Sequence, residues 1–172
     1  MARANLDEEL FPYIDSCLYE QIEKKFIVIH LMGSHPAYKK RYPEKFSKFK
    51  AEDYSHSHPH LPVESRIQLS DYDNSILYND SIVYEIMKRF DNEDAVVIYF
   101  SDHGQDVYDS SDDYAGHAKI GNAKSEEAGR NIPLMVYTSP LFREKHPELQ
   151  QRIETSVNRP YRTDSIMYTI MD

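Results

Sequence analysis

The chain alternates between helical and strand-like hydrophobic periods, interrupted by two long polar stretches. Leu6, Leu10, Phe11, Ile14, Leu18 and Ile22 recur at helical spacing. Asn5 stands where an N-cap belongs and Glu8 where its capping-box partner belongs. The pattern predicts a first helix to about Glu23, its end favoured by Lys24 and Lys25. The run Phe26 to Leu31 then reads as a strand, broken by Gly33 and Pro36. From Ala37 to about Ser65 the chain is polar, bearing Tyr, Lys and Pro, and too long to be a simple connector. A second helix is expected from Ser70 or Asp71, with Ile76, Val83, Ile86, Met87 and Phe90 facing inward.

The next run, Ala95-Val96-Val97-Ile98-Tyr99-Phe100, is β-branched and aromatic-rich and reads as a buried strand of a mostly parallel sheet. It ends abruptly in Ser101-Asp102-His103-Gly104-Gln105. A second polar excursion, Asp106 to Arg130, leads to a short strand, Ile132 to Tyr137. Short helical pieces follow between Pro140, Pro147 and Pro160, and a final helix starts at Thr163 or Asp164 and stops at Asp172 with no cap. This order implies an α/β layered arrangement, helices covering a largely parallel sheet, in one domain over residues 1–172. Both polar excursions follow strand ends, where α/β sheets build their sites.

Charge narrows the function. Lys and Arg number 20 against 29 Asp and Glu, a net charge of −9 that argues against a nucleic-acid partner. Cys17 is the only cysteine, so there is no disulfide framework and no Cys-type zinc site. No stretch approaches the roughly 18 apolar residues of a membrane span, and Met1 to Asn5 shows no targeting pattern. The 8 histidines change the picture more, because His is the commonest metal ligand and the acid/base residue of neutral pH.

Asp102 and His103 at a strand tip, before a glycine that permits a sharp turn, supply an oxygen and a nitrogen to one metal ion; zinc and manganese both accept such ligands. On these residues alone, a turn with a solvated His is an equal reading. His35 lies beyond the Gly33 turn, and His117 follows His103 by fourteen residues, within reach if the loop folds back. His30 reads better as a core or near-core histidine. His56, His58 and His60 form a short His-rich run in which Pro59 breaks helical i, i+4 geometry, so adventitious metal binding is the stronger reading. Lys39-Lys40-Arg41 reads as a solvated face or as a contact for an anionic headgroup.

These segments match a known pattern in order. Ile29-His30-Leu31-Met32-Gly33-Ser34-His35-Pro36-Ala37-Tyr38-Lys39-Lys40-Arg41-Tyr42-Pro43 resembles the H-x-x-G-S/N-H-G-P-x-Y-x-x-R-Y-P segment of bacterial phosphoethanolamine transferases, in the sulfatase-like branch of the alkaline phosphatase superfamily. Tyr72 to Asp80 resembles that family's Y-D-N-T/S-I-L-Y-x-D helix, Ser101 to Gln105 its S-D-H-G-E motif, and Ile132 to Tyr137 the strand that follows. The resemblance implies the C-terminal portion of an alkaline-phosphatase-like α/β/α sandwich. It implies zinc, with manganese as an alternative, held in part by Asp102 and His103, and catalytic roles for His35 and His117. It also implies a phospholipid donor, a lipid A or other glycan acceptor, a phosphorylated Thr intermediate, and an inner-membrane protein with this domain in the periplasm.

The sequence departs from the family at two places: Pro36 follows His35 with no intervening Gly, and Gln105 replaces Glu. The family's membrane helices, Glu ligand and nucleophilic Thr have no match here, so the isolated chain is expected to be inactive and to bind zinc weakly. A sulfatase or phosphodiesterase of the same superfamily, or a non-catalytic metal-binding module, are the alternatives.

Overall fold

A computed structural model describes residues 6–171. Its helices are α1 (Phe11–Tyr19), α2 (Val63–Arg89), α3 (Ala123–Arg130), α4 (Pro140–Lys145), α5 (Pro147–Glu154) and α6 (Ile166–Met171). Its strands are β1 (Val96–Phe100), β2 (Asp106–Val107), β3 (Ala115–Gly116) and β4 (Leu134–Thr138). The class is mixed α/β, as expected, with a small, incomplete sheet: β1 neighbours β4, and β2 pairs antiparallel with β3.

The chain divides into two units, one running to Arg89 and resuming over Ile98–Met135, the other comprising Phe90–Val97 and the residues from Val136 onward. The first unit is organised by α2, which begins at Val63, several residues before the expected cap at Ser70 or Asp71. Its buried stripe is Leu69, Ser70, Asn74, Ser75, Tyr78, Ile82, Val83 and Ile86. Three polar residues on that stripe disguised the helical period, and Ile76, expected inside, is 43% exposed.

Asn74 and Ser75 are fully buried because their polar groups are satisfied. The Asn74 Oδ1 accepts from the backbone N–H of Lys48 and of Phe49, both at 2.8 Å, while its Nδ2 donates to the Phe49 carbonyl at 2.9 Å. One helical side chain thus fastens the first polar excursion, whose short 3-10 turns are Tyr38–Lys40, Glu44–Phe46 and Ala51–Tyr54. Tyr42 adds a hydroxyl bond to Asp71 at 2.5 Å, and Tyr54 bonds Asp73. Tyr38, Leu61, Leu69 and Val107 form the buried apolar cluster between them, and burial pushes the Tyr38 phenol up to about 12.

The first helix is shorter than expected. A 3-10 turn over Asp7–Leu10 runs into α1, which ends at Tyr19 and leaves Ile22 56% exposed. The Asn5 cap lies outside the described residues. Arg89, at the end of α2, stacks on Phe11 at 3.8 Å and pairs with Asp15 at 3.1 Å. Residues 26–31 form no strand: among the described residues nothing pairs with them, and Phe26 and Val28 are 72% and 76% exposed. A β-branched run supplies propensity, but a strand also needs a partner for its ladder. His30, read as near-core, is exposed for the same reason.

In the second unit, Ser139 joins the end of β4 to the start of β1. Its N–H donates to the Ala95 carbonyl at 3.0 Å and its hydroxyl donates to the Glu93 carbonyl at 2.5 Å. The same hydroxyl accepts from Phe142 N–H at 3.0 Å as the N-cap of α4. Asp94 meets Lys145 at 3.3 Å and His146 at 3.2 Å, and these partners hold its carboxyl below the usual carboxylate range against a desolvation effect that opposes them. The last helix opens with a turn over Thr163–Ser165, and its expected end at Asp172 lies outside the described residues.

Candidate functional site

The tip of β1 carries Asp102 and His103. The Asp102 Oδ1 accepts from the His103 N–H at 3.0 Å, and its Oδ2 lies 3.7 Å from the His103 Nε2. The other imidazole nitrogen, Nδ1, sits 2.9 Å from the Gly104 carbonyl oxygen. A carbonyl can only accept, so Nδ1 carries a proton, and in the neutral ring Nε2 then carries the lone pair on the side of the carboxylate. This is the tautomer a metal-binding imidazole needs, its second nitrogen oriented by backbone. The separation of 3.7 Å is near the roughly 3.4 Å edge of a tetrahedron with bonds of about 2.1 Å. The donor pair therefore fits zinc. Asp102 is 87% exposed and His103 34%, so the carboxylate is open to a ligand.

Gly104 is required by close approach. A Cβ there would lie 1.9 Å from the Ala128 carbonyl oxygen, and the Gly104 N–H donates to Gly129 at 2.9 Å. The turn after His103 is thus seated directly on α3. Gly129 faces Ala118 in the same way, at 2.7 Å from a would-be Cβ.

The second polar excursion folds back through β2 and β3, with Asp106 opposite Gly116 and Val107 opposite Ala115. That register carries His117 to His103, their rings 4.0 Å apart and tilted 37°. Asp106 fixes the excursion from inside. It is fully buried, accepts from the N–H of Asp109 and of Ser110 at 3.1 and 3.2 Å, and accepts the Ser110 hydroxyl at 2.5 Å. Burial opposes its charge, yet the Ser110 and Ser125 hydroxyls and those amides hold the carboxyl below the usual carboxylate range. Nothing in the sequence separates Asp106 from the acids around it; only the closed loop makes it internal.

His35 is exposed, and its Nδ1 lies 3.4 Å from the Pro36 carbonyl. Its loop is held by Asp7, whose carboxylate accepts the N–H of Met32 at 3.0 Å and of Gly33 at 2.8 Å, and by Arg41, which donates to the His35 and Pro36 carbonyls at 3.2 and 3.3 Å. Gly33 takes φ +53°, and Ala37 takes φ 67°, a left-handed conformation that favours glycine. The sequence lacks the Gly expected beside Pro36, and the left-handed residue after Pro36 is Ala37. His56, His58 and His60 lie on a turn, His58 bonding Ser57 at 3.0 Å. Among the described residues no three His, Cys, Asp or Glu side chains gather closely enough to hold a metal ion. The structure thus brings Asp102, His103 and His117 to one place without closing a metal shell.

Comparison with known proteins places this geometry. The sulfatase family model matches residues 3–172. The chain is 32% identical to the phosphoethanolamine transferase EptC of Escherichia coli K12 over 96% of its own length and 28% of that protein's. It is 31% identical to the phosphoethanolamine transferase EptA of Helicobacter pylori, covering 96% of itself and 32% of the relative. The chain therefore spans less than a third of these relatives. A crystal structure of the C-terminal periplasmic domain of E. coli EptC in complex with Zn superposes with a TM-score of 0.73 at 33% identity, covering 86% of this chain and 41% of that one.

Proposed function

Because the chain belongs to the sulfatase family, we propose that it forms the C-terminal part of the catalytic domain of a zinc-dependent phosphoethanolamine transferase. The reaction we assign moves phosphoethanolamine from a phospholipid to lipid A or another envelope glycan, through a phosphorylated threonine supplied outside these residues. The protein so assigned is an inner-membrane enzyme with this domain in the periplasm. Among the described residues no helix is long and apolar enough to cross a membrane. The reading is supported by similarity to transferases along nearly the whole chain and by the Zn complex of the EptC domain. The observation that carries it is the convergence of Asp102 Oδ2 and a lone-pair-bearing His103 Nε2 at the tip of β1.

In this assignment Asp102 and His103 hold zinc, which lowers the nucleophile's pKa and stabilises charge on the phosphoryl oxygens. Gly104 and its carbonyl hold the His103 ring in the correct tautomer. His117, exposed and beside His103, is placed to hydrogen-bond a phosphoryl oxygen or pass a proton to a leaving oxygen. His35 is assigned to the anionic side of the substrate, on a loop fixed by Asp7 and Arg41.

The test is transfer from phosphatidylethanolamine to lipid A by the protein carrying this chain within its complete catalytic domain. Asp102→Asn should abolish both zinc retention and transfer. His117→Ala should keep zinc and lose about a hundredfold in rate, the scale of one acid–base group. Undiminished transfer by Asp102→Asn would refute the assignment. The isolated 172-residue chain is expected to bind zinc weakly and to turn over nothing; tight stoichiometric zinc binding would contradict the partial-shell reading.

A further inference from the structure

Between Lys39 and Lys50 the chain places six cations, Lys39, Lys40, Arg41, Lys45, Lys48 and Lys50, against one acid, Glu44. With −9 overall and +5 in this segment, the rest of the molecule carries −14. The segment is two-sided. Tyr38 packs edge-on to Tyr72 at 5.1 Å, Phe46 to Tyr78 at 5.0 Å, and Tyr42 is 5% exposed, so the aromatic side is turned into α2. Asn74 locks the backbone at Lys48 and Phe49. The five lysines are all exposed. Lys39 has Glu44 at 3.6 Å, and Arg41 is engaged with the His35 and Pro36 carbonyls. Asp53, just beyond, turns back onto the Lys50 N–H at 2.9 Å. Among the described residues Lys40, Lys45, Lys48 and Lys50 have no carboxylate partner, in a molecule with a surplus of carboxylates.

We propose that this lysine face is a docking surface for an anionic lipid bilayer. The inference rests on the assignment of a lipid-borne donor above, and it names how the domain meets that surface. At physiological salt, charges farther than about 8 Å are largely screened, so the acidic remainder does not cancel a local basic face. Repulsion of that remainder instead orients the domain with these lysines toward the lipid. A rigidly mounted face also loses little entropy on docking. The segment begins four residues after His35, so docking brings the His35 loop close to the headgroups.

The experiment is flotation of the complete catalytic domain that carries this chain, with vesicles of phosphatidylcholine alone or mixed with phosphatidylglycerol, at low and high salt. Each lysine near an anionic surface is worth about a factor of five in partitioning. Wild type should float with anionic vesicles only and be released by salt. Lys45→Gln/Lys48→Gln/Lys50→Gln should weaken binding at least tenfold with unchanged melting, and the corresponding Glu triple should abolish it. If the Glu triple fails to fold, the Gln triple decides. No flotation of wild type, equal flotation with neutral vesicles, or undiminished binding by the Gln triple overturns the proposal. Asp102→Asn separates the two readings: vesicle binding retained while zinc binding is also unaffected removes the metal assignment and leaves the lysine face standing. Zinc binding lost in Asp102→Asn while wild type ignores anionic vesicles does the reverse.

Discussion

The Tyr38–Tyr54 segment and the β1–β4 pair exchange the roles their sequences suggest. The first is polar and irregular, yet it covers α2 through Tyr38, Tyr42 and the enclosed Asn74. The second reads as a buried sheet centre, yet Val96 and Phe100 of β1 are each 39% exposed, as are Leu134, Met135 and Val136 of β4 at 38–42%. Burial is decided by partners. A loop whose polar groups are met by helical side chains such as Asn74, Asp71 and Asp73 can pack onto a core, and an apolar strand is buried only where neighbouring elements cover it.

Removing the partner should therefore hurt the polar region most. Asn74→Ala leaves two part-buried backbone N–H groups and a carbonyl without their partner, and should cost about 4 kcal/mol in chemical denaturation. The loop 38–54 should then exchange its amides before α2 does. Gly104→Ala comes next: contact at 1.9 Å with a carbonyl forces the backbone off α3. The expected loss is about 3 kcal/mol, with His103 and His117 ring signals shifting together in NMR spectra.

Asp106→Asn should cost about 2 kcal/mol at neutral pH, since it removes a charge held by hydroxyls and amides. The native carboxyl is depressed. Its stabilisation is thus complete above the unfolded carboxylate pKa and is lost as pH falls through the lower native value. Wild type and Asp106→Asn melting curves should converge in acid; a constant gap would show that the charge contributes nothing. Ala37→Gly relieves a left-handed alanine and should stabilise by about 1 kcal/mol. Val136→Thr, on the exposed strand, should change stability by less than about 0.5 kcal/mol. A large loss there would mean that β4 is covered after all, and would remove the contrast between the two regions.

The ordered motifs were legible because each is local chemistry: a β-branched run ending in Asp102-His103-Gly104, a glycine turn before His35, an amphipathic Val83–Ile86–Phe90 stripe. Other features were not, for particular reasons. Asn74 is a poor helix former by propensity, and only the carbonyl and amides of another segment make it a clamp. Asp106 and Asp113 are both acids of one loop, but only Asp106 is enclosed when β2 meets β3. Residues 26–31 carry strand propensity without a ladder, and Ile76 satisfies the helical period on the wet face.

The mixed class, the long helix with the strand β1 after it, and the position of Asp102 and His103 at the β1 tip were written in the residues, because local periodicity needs no knowledge of distant chain. Which polar groups became interior, and that His117 returns to His103, were decided by the folded chain alone. Those outcomes depend on hydrogen bonds and contacts between segments far apart in sequence, and no local pattern encodes them.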